Sequence, residues 1–79
     1  MNGIRIVPER LLLERSRRGL SQAALADKAG LAYLTVSRIE RGKSGPVQAV
    51  TAYKLASALA LDVEDLTRGL RTLPATSEI

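Results

Sequence analysis

The chain has 79 residues and a net charge of +4, with neither cysteine nor histidine. That length holds one small domain. Without cysteine there is no disulfide framework or thiolate metal site, and without histidine the commonest general base and metal ligand are missing. With no phosphate-cradling loop and no paired catalytic carboxylates either, an enzyme is not expected, and no cofactor or metal is required.

A domain of this size buries only about 60–65% of its unfolded surface, so its stability is expected to be modest. Phe and Trp are absent and the only aromatic residues are Tyr33 and Tyr53, which leaves the core to Leu, Ile, Val and Ala. No apolar run approaches the ~18 residues of a membrane span, and the N-terminus lacks the apolar run of a signal peptide. A cytoplasmic setting is expected, with no membrane partner. Charge is uneven: residues 1–43 carry nine basic and four acidic side chains, whereas residues 44–79 carry three basic and four acidic. The positive potential of the first half suits a polyanion.

Residues 1–7 read as an N-terminal arm, in which Ile4 and Ile6 alternate with Arg5 as in a short extended segment. Pro8 fits the first turn of a helix, where its missing N–H costs nothing. Helix 1 is expected from about Pro8 to Arg18, stopped by Gly19. Its spacing puts Leu11, Leu12 and Arg15 on one face. Arg17 and Arg18 suit the negative end of its dipole. Ser21 caps helix 2, Gln22 to about Ala29. Gly30 makes the left-handed turn that a Cβ resists. Helix 3 covers about Tyr33 to Arg41, and Gly42 ends it.

Residues 43–46, Lys-Ser-Gly-Pro, form a loop. Helix 4 is expected from Val47 to Ala60, with Ala52, Leu55, Ala56 and Leu59 facing inward. Asp62 caps helix 5, about Val63 to Leu70, and Glu64 and Asp65 match its dipole, which explains this acidic cluster without a metal. Leu66, Leu70 and Leu73 either complete the core or leave an apolar stripe for a twin subunit. Domain boundaries follow: 1–7 arm, 8–70 domain, and 71–79 a tail that is frayed or contributes to a dimer interface.

Residues 22–41 are the most informative stretch. They encode two short helices joined at Gly30, with Leu25, Ala26, Ala29, Leu31, Val36 and Ile39 where such helices must touch. The second helix keeps a polar, basic outer face. This is the pattern of a helix-turn-helix whose second helix enters the major groove.

The ordered set Arg15 to Gly19, Leu20-Ser21-Gln22, Leu25-Ala26, Gly30, Val36 to Lys43 and Ala56 to Leu59 resembles the Cro/C1-type (Xre-like) helix-turn-helix family. The likeness covers residues 8–66. It implies an all-α fold: a compact five-helix, lambda-repressor-like DNA-binding domain with helices 2 and 3 as the reading pair. By position, Tyr33, Leu34, Ser37 and Arg38 fall on the outward face of the recognition helix and become base readers. Gln22, Thr35, Arg41 and Lys43 become phosphate contacts, Gln22 with the help of a helix N-terminus. Arg15 and Glu40 match a basic–acidic pair that ties helix 1 to the end of helix 3.

Chemistry supports the two central readers. An arginine at 38 bridges O6 and N7 of a guanine, and a leucine at 34 packs on a thymine methyl. The plainer alternatives are a solvated arginine and a core leucine. Arg5 is either an idle surface arginine or an arm that reaches around the duplex. The chain departs from the family pattern at Ala32, where a Ser or Thr cap is usual, at Tyr33 and Leu34, where polar readers are common, and at Ala60, where Gly usually ends helix 4. The loop between helices 3 and 4 is about one residue longer than is common.

The function implied is a sequence-specific, double-stranded-DNA-binding transcriptional regulator. It would be a repressor or autoregulatory controller, acting as a homodimer on a near-palindromic operator and associated with the nucleoid when bound. A regulatory protein partner is also compatible. The alternative is a protein-interaction module, such as the antitoxin of a toxin–antitoxin pair.

Overall fold

Five helices follow one another in the computed structural model, which describes residues 3–69. They are α1 (Pro8–Arg17), α2 (Gln22–Ala29), α3 (Tyr33–Glu40), α4 (Ala49–Ala58) and α5 (Val63–Thr67). Pro8 opens α1 as expected, behind an extended Val7. Ser21 Oγ accepts the Ala24 N–H at 3.0 Å and so satisfies one of the free donors at the start of α2. Asp65 Oδ2 accepts the Asp62 N–H at 3.1 Å at the start of α5.

The core is aliphatic. Leu11, Leu25, Val36, Leu55, Leu59 and Leu66 are its largest fully buried side chains, one or more from each helix or its immediate cap. Ala26, Ala52 and Ala56 are buried among them and allow close helix approach. Each buried leucine contributes about 1.5–3 kcal/mol of transfer free energy, which is how so short a chain offsets its ordering entropy without aromatic groups.

Four expectations are corrected. Helix α4 starts at Ala49, two residues after Val47. Val47 is instead extended, and exchanges backbone hydrogen bonds with Ile4: Ile4 N–H to Val47 O at 2.7 Å and Val47 N–H to Ile4 O at 2.8 Å. It ends at Ala58, short of Ala60, which turns left-handed with φ 58°. Helix α5 ends at Thr67 rather than Leu70. The Leu66 carbonyl, which a longer helix would use, accepts the Val7 N–H at 2.9 Å. Leu12 does not share the buried face of Leu11 but is exposed. The two are about 100° apart on the helix, and Leu11 alone points to the centre. Of the apolar series at the C-terminal end, Leu66 is core; Leu70, Leu73 and the tail 71–79 lie outside the described residues.

The segment read as an arm is packed onto the domain along residues 3–7. Ile6 is buried in the core, and the Ile4–Val47 bridge ties the segment to the loop that precedes α4.

Candidate nucleic-acid interface

The two helices of the reading unit are joined by a turn that only glycine makes without strain. Gly30 has φ 72° and lets the Leu31 N–H reach back to Ala26 O at 2.8 Å. Leu25, Ala26 and Ala29 from α2 and Val36 and Ile39 from α3 are buried, so the pair is locked from within.

Orientation of α3 follows from those anchors. Leu34 and Arg38 lie about 160° from Val36 around the helix axis, one on each side of the outward direction. Both are exposed, Leu34 at 53%, and Tyr33 in the first turn is exposed at 52%. Thr35 is half-buried on one flank; Arg41 and Lys43 are exposed beyond the helix end. The Lys43 N–H donates to Arg38 O at 2.9 Å, which holds that exit loop against the last turn.

Ser37 is a correction. Its residue is only 6% exposed, so it does not belong to the outward face. It sits about 100° from Val36, on the flank shared with Glu40, which is turned toward α1 and α2. Tyr33, one turn earlier on the same row, is long enough to emerge; a serine is not. The outward-facing side chains of α3 are Tyr33, Leu34 and Arg38.

The expected pair between α1 and α3 forms. Arg15 Nε donates to Glu40 Oε2 at 2.6 Å, and a second guanidinium nitrogen donates to Glu40 Oε1 at 2.8 Å. A third N–H of Arg15 reaches Leu20 O at 2.8 Å. Gln22 Nε2 donates to Glu40 Oε1 at 2.8 Å. One carboxylate thus gathers the end of α1, the start of α2 and the end of α3. Gln22 retains a second amide N–H beyond this bond. Burial on its own pushes the Glu40 carboxyl up, but hydrogen bonds from Arg15 and Gln22, with the charge of Arg15, outweigh it and hold it below the ordinary carboxylate range. The bond to Glu40 raises Arg15 further, against the cost of its own burial.

A second buried carboxylate was not singled out by sequence reasoning. Glu14 is 2% exposed on α1. Arg18 donates to its Oε1 at 2.9 Å and to its backbone carbonyl at 2.7 Å. Arg10 Nε lies 3.2 Å from Glu14 Oε2 but is off the hydrogen-bond direction and has no partner, and Arg17 stands 3.6 Å away. Arg10-Glu14-Arg18 was visible as i, i+4 spacing; that the middle member is buried was not. Arg18 therefore does more than meet a helix dipole: it clamps the last turn of α1 through Glu14.

Residues 10–66 match the helix-turn-helix family. The chain belongs to this family. Its fold superposes on solved helix-turn-helix proteins. One is the restriction-modification controller protein C.AhdI from Aeromonas hydrophila, with 38% identity, a TM-score of 0.72, and 76% of this chain and 89% of that chain covered. Another is the biofilm master regulator SinR, solved in complex with DNA, with 30% identity, a TM-score of 0.74 and coverages of 77% and 97%. A third is the DNA-binding domain of the P22 C2 repressor, with 28% identity, a TM-score of 0.72 and coverages of 87% and 88%. A search of curated protein sequences returned no match. The helix-turn-helix is α2 and α3, and the lambda-repressor-like arrangement of five helices agrees with the sequence reading.

Proposed function

We propose that this helix-turn-helix chain is a sequence-specific, double-stranded-DNA-binding transcriptional regulator, a repressor or autoregulatory controller. The observation that carries the reading is α3. Arg38, Leu34 and Tyr33 project from one side of it, while its other side is held by Val36, Ile39 and the Glu40 network. Arg38 supplies two donors for a guanine, and Leu34 an apolar contact for a thymine methyl. Gln22, Thr35, Arg41 and Lys43 flank this face and provide the phosphate contacts that set register.

A homodimer would place two copies of α3 in successive major grooves, about 34 Å apart, on a near-palindromic operator. Steric exclusion of polymerase then gives repression, and occupancy follows protein concentration. Catalysis has no role in this scheme, and the setting is the cytoplasm.

Selection of the full chain against randomised duplexes tests the reading. The expected result is enrichment of a near-palindromic motif, with log K falling steeply against log salt, by about 0.9 per phosphate neutralised. No enrichment together with a flat salt response would overturn it and favour a protein-binding module, for which the exposed apolar Tyr33 and Leu34 are the supporting feature.

A further inference from the structure

The N-terminal segment is a strap across the exit of the recognition helix. Its two backbone hydrogen bonds to Val47 fix Ile4, and burial fixes Ile6. Gly3 lies so close to Pro46 that a Cβ there would meet Pro46 Cβ at 2.5 Å, so the strap fits only with glycine at this crossing. Between two anchored isoleucines, extended-chain alternation turns Arg5 away from the core. Arg5 is exposed, and lines a cavity of about 120 Å³ together with Gly42, Ser44 and Gly45. Those residues belong to the loop that leaves α3, the same loop that carries Lys43, directly after Arg41.

Arg5 therefore lies against the loop in which Gly42 and Ser44 are the chain neighbours of Arg41 and Lys43. Arg5 arrives from the strap, Arg41 from the end of α3 and Lys43 from the loop. Among the described residues none of the three forms an ion pair, in contrast to Arg10, Arg15, Arg17 and Arg18, which all face carboxylates. The four arginines at 10, 15, 17 and 18 share two carboxylates, Glu14 and Glu40, whereas Arg5, Arg41 and Lys43 have none.

We propose that Arg5 is a DNA phosphate contact, acting with Arg41 and Lys43 on the backbone at the C-terminal end of α3, and that the Ile4–Val47 bridge is what positions it. This rests on the DNA-binding reading and adds a residue and a positioning device to it. It differs from a free arm that wraps the duplex to read bases. A strap held at Ile4 and Ile6 gives Arg5 only side-chain reach, which suits a backbone phosphate next to the loop and carries no sequence information.

The test is a salt titration of the full chain on a selected duplex and on a random one, with R5A, R5K and G3A. R5A is expected to lower the slope of log K against log salt by about 1 on both duplexes, with an unchanged thermal midpoint. R5K is expected to restore the slope, since a phosphate asks only for charge. G3A keeps Arg5 but forces the strap off Pro46, and is expected to lower the slope as R5A does. A wild-type slope in R5A would overturn the contact. So would loss on the selected duplex alone, the signature of a base-reading arm. A wild-type slope in G3A would overturn the positioning role of the bridge. A flat response in the wild-type chain would count instead against DNA binding as a whole.

Discussion

Arg15 and Glu40 stand 25 positions apart and meet through two hydrogen bonds of 2.6 and 2.8 Å, with both side chains largely shielded from water. The pair joins α1 to the end of α3. Because both charges are mostly buried, removing one leaves the other stranded. Glu40→Ala is expected to lower unfolding free energy by about 3 kcal/mol, measured by urea denaturation. A chain of this length has roughly 4–12 kcal/mol in total. Replacing both residues by leucine is expected to recover part of the loss, since no charge is then left unpaired.

The same carboxylate sets an acid limit. Its pKa is depressed in the folded protein relative to the ordinary value of 4.5. A depressed carboxylate contributes stability that is fully present above the unfolded pKa and is lost as pH falls through the folded one. Stability is therefore expected to hold near neutrality and to fall below about pH 4.5. Urea midpoints taken between pH 7 and pH 3 should show this fall, and Glu40→Gln should make the profile flatter.

Ala60 has a left-handed backbone, φ 58°, at the end of α4. A Cβ in that region costs about 1–2 kcal/mol. Glycine removes the strain but adds unfolded-chain entropy of about 0.4–1 kcal/mol. Ala60→Gly is expected to stabilise by about 0.5–1 kcal/mol, seen as a rise of a few degrees in Tm.

Ala32, the cap residue before helix α3, has extended dihedrals and makes no side-chain bond to the free N–H groups of the first turn. Ala32→Ser is expected to add about 1 kcal/mol in the same denaturation assay. The change lies before the first outward-facing residue, so the selected DNA motif should stay the same.

Base and backbone contacts are separable by mutation. Arg38→Ala is expected to cost about 1–3 kcal/mol on the selected site and to relax preference at one base position. Lys43→Ala should weaken binding to selected and random duplexes alike. Competition binding measures both, and equal losses from Arg38→Ala on the two duplexes would remove it from the base readers.

Local chemistry carried most of the fold. Ser21, Gly19 and Gly30 announce helix ends through side-chain bonds and positive φ, and the inner stripe of α4 follows from spacing alone. Long-range pairing was less visible. Alternation at Ile4-Arg5-Ile6 points to an extended segment but names no partner, and nothing local to Val47 opposes a helix there, so its pairing with Ile4 is not visible in the sequence. The exposure of Leu12 and the burial of Ser37 depend on which neighbours arrive, which a helical period cannot state. Glu14 shows the same gap: its spacing to Arg10 and Arg18 reads as a surface pair until burial is known. The outward positions of Leu34 and Arg38 are legible because Val36 and Ile39 define the opposite side; Tyr33, about 60° from Val36, lies on the flank and emerges from the first turn.

The aliphatic core has an optical consequence. With no tryptophan, the phenol rings of Tyr33 and Tyr53 supply nearly all intrinsic emission, and both rings lie in solvent, Tyr53 at 66% exposure on α4. Unfolding moves neither ring out of a packed interior, so emission is a weak reporter of stability. Tyr33 projects from the helix assigned to the groove, whereas Tyr53 sits on α4. A Tyr53→Phe chain would leave a single fluorophore on the recognition helix, an internal probe of complex formation that needs no attached label.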